Sequence, residues 1–288
     1  MKVLVFRHNN QLFSHLREQL DAREENIVPI PVGMDVIGTM VDLDALLEQH
    51  QPSYFISLAQ LSPRADKLSQ KRFRANIEYI ERVARKAGIP FIFLSSAMVF
   101  DGKKLGYKEA EHLTPKHAVS KTYAELEKLI SRKCKRHIIL RTSWLFSDKS
   151  ANFLTRVIDY ASQQNPMLLN SAAKSCPTSM EDLSRVIVGM ILQLELTDDA
   201  WGIYHYASSD AALGFQFVEA IVAQASQFDG RITPNNLSFV HDDHYESDFY
   251  FEPVVLKCDK VRAVFGIHQK SWRPSVSAAV KLYCSDEN

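Results

Sequence analysis

At 288 residues, with 46% hydrophobic and 24% charged residues, the chain has the size and composition of one large α/β unit or of a nucleotide-binding domain with a smaller companion. Lys plus Arg and Asp plus Glu are equal at 34 each, so no net field draws the chain to nucleic acid or to an anionic membrane, and small molecules or other proteins are the expected partners. The apolar run Val3-Leu4-Val5-Phe6 is too short for a signal peptide or a membrane span, from which a cytoplasmic location is expected.

Val3 to Phe6 is a continuous apolar run of the kind that forms a strand buried on both faces of a parallel sheet. Leu12, Phe13, Leu16 and Leu20 recur at helical spacing directly after it. The alternation repeats: strands near 27–31, 54–58, 91–95 and 137–141 are separated by helices near 43–49, 70–86 and 118–132. Strands alternating with helices predict right-handed βαβ units on a doubly wound parallel sheet. Past Trp144 the rhythm loosens into helices near 152–162, 180–194, 215–225 and 274–283, with a strand-like piece at 203–207. That pattern predicts a smaller α+β unit. The expected division is 1–146 and 147–288, with about 180–200 packing back on the sheet. Cys134, Cys176, Cys258 and Cys284 are scattered with no Cys-x-x-Cys pair, so they are expected to be reduced and structural. The acidic aromatic stretch 241–246 has metal-ligand atoms but no ligand spacing, and reads as a surface loop with no metal. Arg132-Lys133-Cys134-Lys135-Arg136 reads as a solvated corner.

The segment from Phe93 to Gly102, with Ser95-Ser96-Ala97 at its centre, resembles the strand and loop that carry the catalytic hydroxyl in extended short-chain dehydrogenase/reductases (SDRs). Arg141-Thr142-Ser143-Trp144-Leu145-Phe146 followed by Asn152-Phe153, then Cys176-Pro177-Thr178 and Gly202-Ile203-Tyr204-His205, is similar to the signatures of dTDP-4-dehydrorhamnose reductases. The resemblance implies a Rossmann-type fold, NADP(H) or NAD(H) as cofactor and a nucleotide-sugar ketone as substrate. It places Arg7, Asn10, Gln11, Ala59, Asn76 and Lys121 at the cofactor. It places Ser96, Ala97, Trp144, Asn152, Thr178 and Glu252 at the substrate.

Dinucleotide-binding turns carry three glycines so that backbone can approach the pyrophosphate and the helix can pack closely. Arg7, Asn10 and Phe13 stand at those positions here. Arg7 brings a long side chain to the pyrophosphate position and Phe13 takes space, so weak or absent cofactor binding is expected. In the other reading, the Arg7 guanidinium replaces the lost backbone contacts to phosphate. The family's proton donor is a Tyr four residues before a Lys; counting back from Lys121 gives His117. The i, i+4 spacing keeps both on one helix face, but imidazole is shorter than phenol and, when neutral, a very weak acid. His117 therefore reads as a helix-start residue, or as a proton donor for different chemistry. No Lys or Arg lies between Arg231 and Lys257, where the family presents a cation to the substrate phosphates, and Glu252 would repel them.

Three functions are weighed. The first is a reductase scaffold, possible pseudoenzyme, that binds a nucleotide-sugar-like ligand or regulates a protein partner or homodimer. The second is an active NADPH-dependent nucleotide-sugar 4-ketoreductase, and the third an enzyme of other chemistry in the same cleft with His117 as acid or base; the candidate catalytic residues are Ser96, His117 and Lys121.

Overall fold

A computed structural model describes the chain except residues 8–10, 24–25, 35–41, 150, 164–166, 171–172, 198, 234–236, 241–252 and 287–288, together with the side chains of 167–170, 237–240 and 286. The first half runs β1 (Lys2–Arg7), α1 (Gln11–Asp21), β2 (Val28–Gly33), α2 (Leu43–His50), β3 (Tyr54–Ser57), α3 (Lys67–Ala87), β4 (Phe91–Ser96), β5 (Leu105–Tyr107), α4 (Ala118–Lys133) and β6 (His137–Thr142). The second half runs β7 (Leu145–Phe146), α5 (Phe153–Ser162), β8 (Met167–Asn170), β9 (Lys174–Ser175), β10 (Thr178–Ser179), α6 (Met180–Leu194) and β11 (Gly202–Tyr206). It continues with β12 (Ala212–Leu213), α7 (Gly214–Ala225), β13 (Leu237–Val240), β14 (Val255–Leu256), α8 (Asp259–Phe265) and α9 (Trp272–Asp286).

The main sheet has six parallel strands in the order β11-β6-β4-β3-β1-β2, with helices between consecutive strands, which is the Rossmann-type arrangement. β3, β4 and β6 are buried along their whole length, which is why their sequences carry no polar alternation. Helix boundaries follow local chemistry. Asp66 caps α3 by accepting the Ser69 amide, 2.7 Å away, and Gly88 ends it at φ 68°, a left-handed conformation that glycine adopts without strain.

Two apolar clusters divide the described residues. The sheet cluster holds β1, β3, β4, β6 and the helices on them, and also takes in α6, β11 and α8 from the second half. Residues 203–207, read from sequence as part of the smaller unit, mostly form β11 and extend the main sheet beyond β6 in register, Ile203 opposite Ile139 and Tyr206 opposite Thr142. A five-residue apolar strand carries nothing that names the sheet it joins, and only its partner decides. The second cluster gathers α5, α7 and α9 around Phe146, Phe217 and Trp272.

Candidate functional site

Ligands of doubly wound sheets bind in the crevice outside the carboxyl ends of the strands. Arg7 closes β1, Ser57 closes β3, Ser96 closes β4 and Thr142 closes β6, so the chain sets a polar side chain at the end of each. Arg7 Nε, Ser57 Oγ, Thr142 Oγ1 and, at the first residue of α1, Gln11 Oε1 are buried with no hydrogen-bond partner among the described residues. Buried polar atoms are otherwise almost always paired, so four at one edge mark it as a place where bonding capacity is unfilled. The Arg7 guanidinium lies 5.0 Å from the centroid of the Phe13 ring, and Phe13 is buried in the sheet cluster. Two of the three expected glycine positions are thus occupied by side chains packed on one another; Asn10, the third, lies outside the described residues.

The start of α1 is also tied to the second half. Gln11 Nε2 donates to the Ala151 carbonyl at 3.2 Å, buried His15 hydrogen-bonds Ser147 Oγ at 2.9 Å, and Lys149 pairs with Glu18. Ala59, just past β3, is buried, and Asn76 Nδ2 donates to the Met34 carbonyl at 2.8 Å, fastening α3 to the end of β2.

Ser96 is nearly buried, and its Oγ accepts the Met98 amide at 3.2 Å, opening the single turn 97–99 that begins with buried Ala97. His117 is exposed at the N-cap of α4, where its amide donates to Ser120 Oγ at 2.9 Å. Lys121 is exposed one turn further on. Among the described residues no side-chain hydrogen bond or ion pair joins Ser96, His117 and Lys121; the Lys121 amide donates to the His117 carbonyl at 3.0 Å, a bond of the helix backbone. Lys121 lines a cavity of about 680 Å³ that runs beside α4 and that neither Ser96 nor His117 lines. Tyr123, the nearest phenol, is in the core between Phe73 and Phe93, and its hydroxyl accepts the Leu61 amide at 2.9 Å. It is committed to structure rather than to proton donation.

The substrate-side positions are distributed differently. Trp144 packs on Phe153 and Phe217 at centroid distances of 6.1 and 6.2 Å. Asn152 caps α5, accepting from the Leu154 amide at 2.9 Å and donating to the Ser147 carbonyl at 2.8 Å. Thr178 is fully buried and donates to the Cys176 carbonyl at 3.0 Å. Glu252 and the stretch 241–246 lie outside the described residues. Among the described residues no group of three His, Cys, Asp or Glu side chains is placed to hold a metal. The four cysteines are buried and in no disulfide, and burial foremost pushes the thiols of Cys134 and Cys176 up to about 12.

Sequence reasoning missed a buried polar cluster beneath this region. Arg141 and Glu127, each 2% exposed, form a forked ion pair, with Nε 3.0 and 3.1 Å from the two carboxylate oxygens and Nη2 2.7 Å from one. Ser95 Oγ donates to the same carboxylate at 2.5 Å. His205 Nδ1 lies 3.2 Å from the carbonyls of Tyr107 and Lys257, which only accept, so that nitrogen carries the hydrogen. Nε2 is then the acceptor for Arg141 Nη1, 3.1 Å away. Burial, and then the Arg141 guanidinium, hold His205 down at about 3, so it stays neutral. Arg141 and His205 both stood in recognised signatures; Glu127 had only its position six residues after Lys121 as a signal.

No helix of the described residues is long and apolar enough to cross a membrane. The family model for the RmlD substrate binding domain matches residues 1–284. A dTDP-4-dehydrorhamnose reductase from Sinorhizobium fredii is 27% identical over 243 residues, 80% of each chain. The crystal structure of a dTDP-4-dehydrorhamnose reductase from Clostridium acetobutylicum superposes with a TM-score of 0.82 at 21% identity, covering 98% of this chain and 99% of that one. The Bacillus anthracis dTDP-4-dehydrorhamnose reductase, solved in complex with NADP, gives 0.80 at 18% identity over 96% of each chain. The fold agrees with these matches, and the chain belongs to the RmlD substrate-binding-domain family of extended SDRs.

Proposed function

We propose that this is a dTDP-4-dehydrorhamnose reductase-like scaffold whose standard redox catalysis is impaired or lost, and which binds a nucleotide-sugar-like ligand or regulates a partner. The observation that carries the reading is Arg7 packed over Phe13 at the entrance of α1. The family implies NADP(H) or NAD(H), and its phosphate cradle depends on bare backbone there. The residues present do not fit that cradle, and no hydride step is derived for this chain. His117, exposed at the helix start and shorter than Tyr, supports the same reading from the proton side. A cytoplasmic location, the division of the chain at 146/147, and a protein partner or second copy belong to this proposal.

Titration calorimetry with NADPH and NADH tests it: neither is expected to bind with a dissociation constant in the low micromolar range, about −8 kcal/mol, and such a constant would overturn the reading. The second reading, an active NADPH-dependent 4-ketoreductase, is favoured by Ser96 closing β4, by Lys121 on α4, and by the Arg7 Nε, which has no partner among the described residues and can donate to a phosphate. Turnover of dTDP-4-dehydrorhamnose with NADPH by the unaltered protein would put it in place of the first.

A further inference from the structure

We infer that the cavity beside α4 is a binding site for an organic anion with an apolar body, separate from the crevice at the carboxyl ends of the strands. Its lining reaches Ser131, in the last turn of α4, and Ile203, near the start of β11, so it runs down the flank of the sheet toward the amino ends of the strands. Arg7, Ser57 and Thr142, which mark the crevice, do not line it.

Charge decides the class of ligand. Three of the lining carboxylates are paired: Glu111 with Lys104, Glu127 with Arg141, and Glu125 with Arg74, which it shares with Glu78. Glu109 spends one oxygen on the His205 amide at 3.1 Å. Lys121 and Lys128 face the same cavity and make no ion pair among the described residues. They stand two helical turns apart on one stripe, an axial separation of about 10 Å. Lys260 adds a third cation behind the wall, its Nζ donating to the Ile203 carbonyl at 2.7 Å. Leu113, Pro115, Ala124 and Ile203 supply the apolar surface. Some 680 Å³ bounded by apolar side chains and a few placed charges is the size and character of a small-molecule site. Lys121 and Lys128, without ion pairs among the described residues, and Lys260 behind them outweigh the partly occupied Glu109 and the half-share of Glu125, which favours an anion.

The test uses the full chain and 8-anilinonaphthalene-1-sulfonate, an aromatic body with one sulfonate, against its uncharged relative N-phenyl-1-naphthylamine. Fluorescence titration is expected to give saturable one-to-one binding of the sulfonate and at least tenfold weaker binding of the neutral probe. Lys128→Glu, at an exposed position, is expected to weaken the sulfonate at least tenfold, and Ala124→Trp to abolish it by filling the cavity. Arg7→Ala, in the crevice, is expected to change nothing. Equal binding of the two probes, indifference to Lys128→Glu, or loss of binding in Arg7→Ala would each overturn the assignment. Thermal melts establish that each variant folds; if Ala124→Trp does not, Lys128→Glu decides alone. The outcome is independent of whether a dinucleotide enters the crevice.

Discussion

Arg141 and Arg7 each lie over a phenylalanine ring, Phe100 at 5.1 Å and Phe13 at 5.0 Å, and their surroundings differ in every other respect. Arg141 belongs to a fork with Glu127 and also reaches His205 and the Glu109 carbonyl. Arg7 has a buried Nε with no partner among the described residues. The first is an arginine whose hydrogen bonds hold the sheet to α4 and to the segment around Tyr107. The second has bonding capacity that the fold leaves unfilled, next to other unfilled polar atoms. A signature arginine buried in its own ion pair is structural material; at the end of β1 the Arg7 Nε has no such closure among the described residues.

The largest effect should come from breaking the closed cluster. Glu127→Ala leaves the Arg141 guanidinium buried without its counter-charge, and the expected loss is about 3–5 kcal/mol of unfolding free energy, read from urea titrations. A loss below about 1 kcal/mol would mean that the pair is solvated and the comparison with Arg7 is void.

A pH series sharpens the same side. His205 titrates at about 3 in the folded chain against 6.5 ordinarily, so between these values the unfolded chain binds the extra proton. The stability due to its neutral form is therefore complete above about 6.5 and is lost as pH falls toward 3, by an amount on the order of a few kcal/mol. His205→Gln, which cannot take up that proton, should flatten this part of the curve. An unchanged slope between pH 6 and 4 in the variant would remove His205 from the account.

Arg7 should give the smallest effect. Arg7→Ala removes one partly exposed cation–ring contact, expected to be worth about 0.5–1 kcal/mol in thermal or urea unfolding. A loss of about 3 kcal/mol or more would make Arg7 as structural as Arg141 and erase the difference between the two regions.

Much of this was legible in the sequence. The parallel strands announced themselves as short apolar runs, because strands covered on both faces have no solvent side to mark with polar residues. Helices α3, α4 and α6 are visible in the apolar spacing, and the motifs around Ser96, Arg141 and His205 resemble those of the family. Pairings across long separations were not. Gln11 with Ala151, His15 with Ser147 and Arg141 with Glu127 join residues whose individual identities suggest nothing about one another. Lys121 shows the limit on the site side: its register with His117 is a sequence fact, yet the cavity it faces is made by the segment 109–115 and by β11, which sequence spacing does not bring to α4.

The sequence by itself determined the alternation of strand and helix, the loss of glycine at positions 7 and 13, and the replacement of the expected tyrosine by His117, because these depend on local periodicity and on residue identity alone. The tertiary structure decided that residues 202–206 join the main sheet, that Arg141 is closed off by Glu127 and His205 while Arg7 is not, and that Lys121 and Lys128 share a cavity. The reason is physical: burial and charge pairing are properties of what surrounds a side chain, and the surroundings of each of these are supplied by segments distant in the chain.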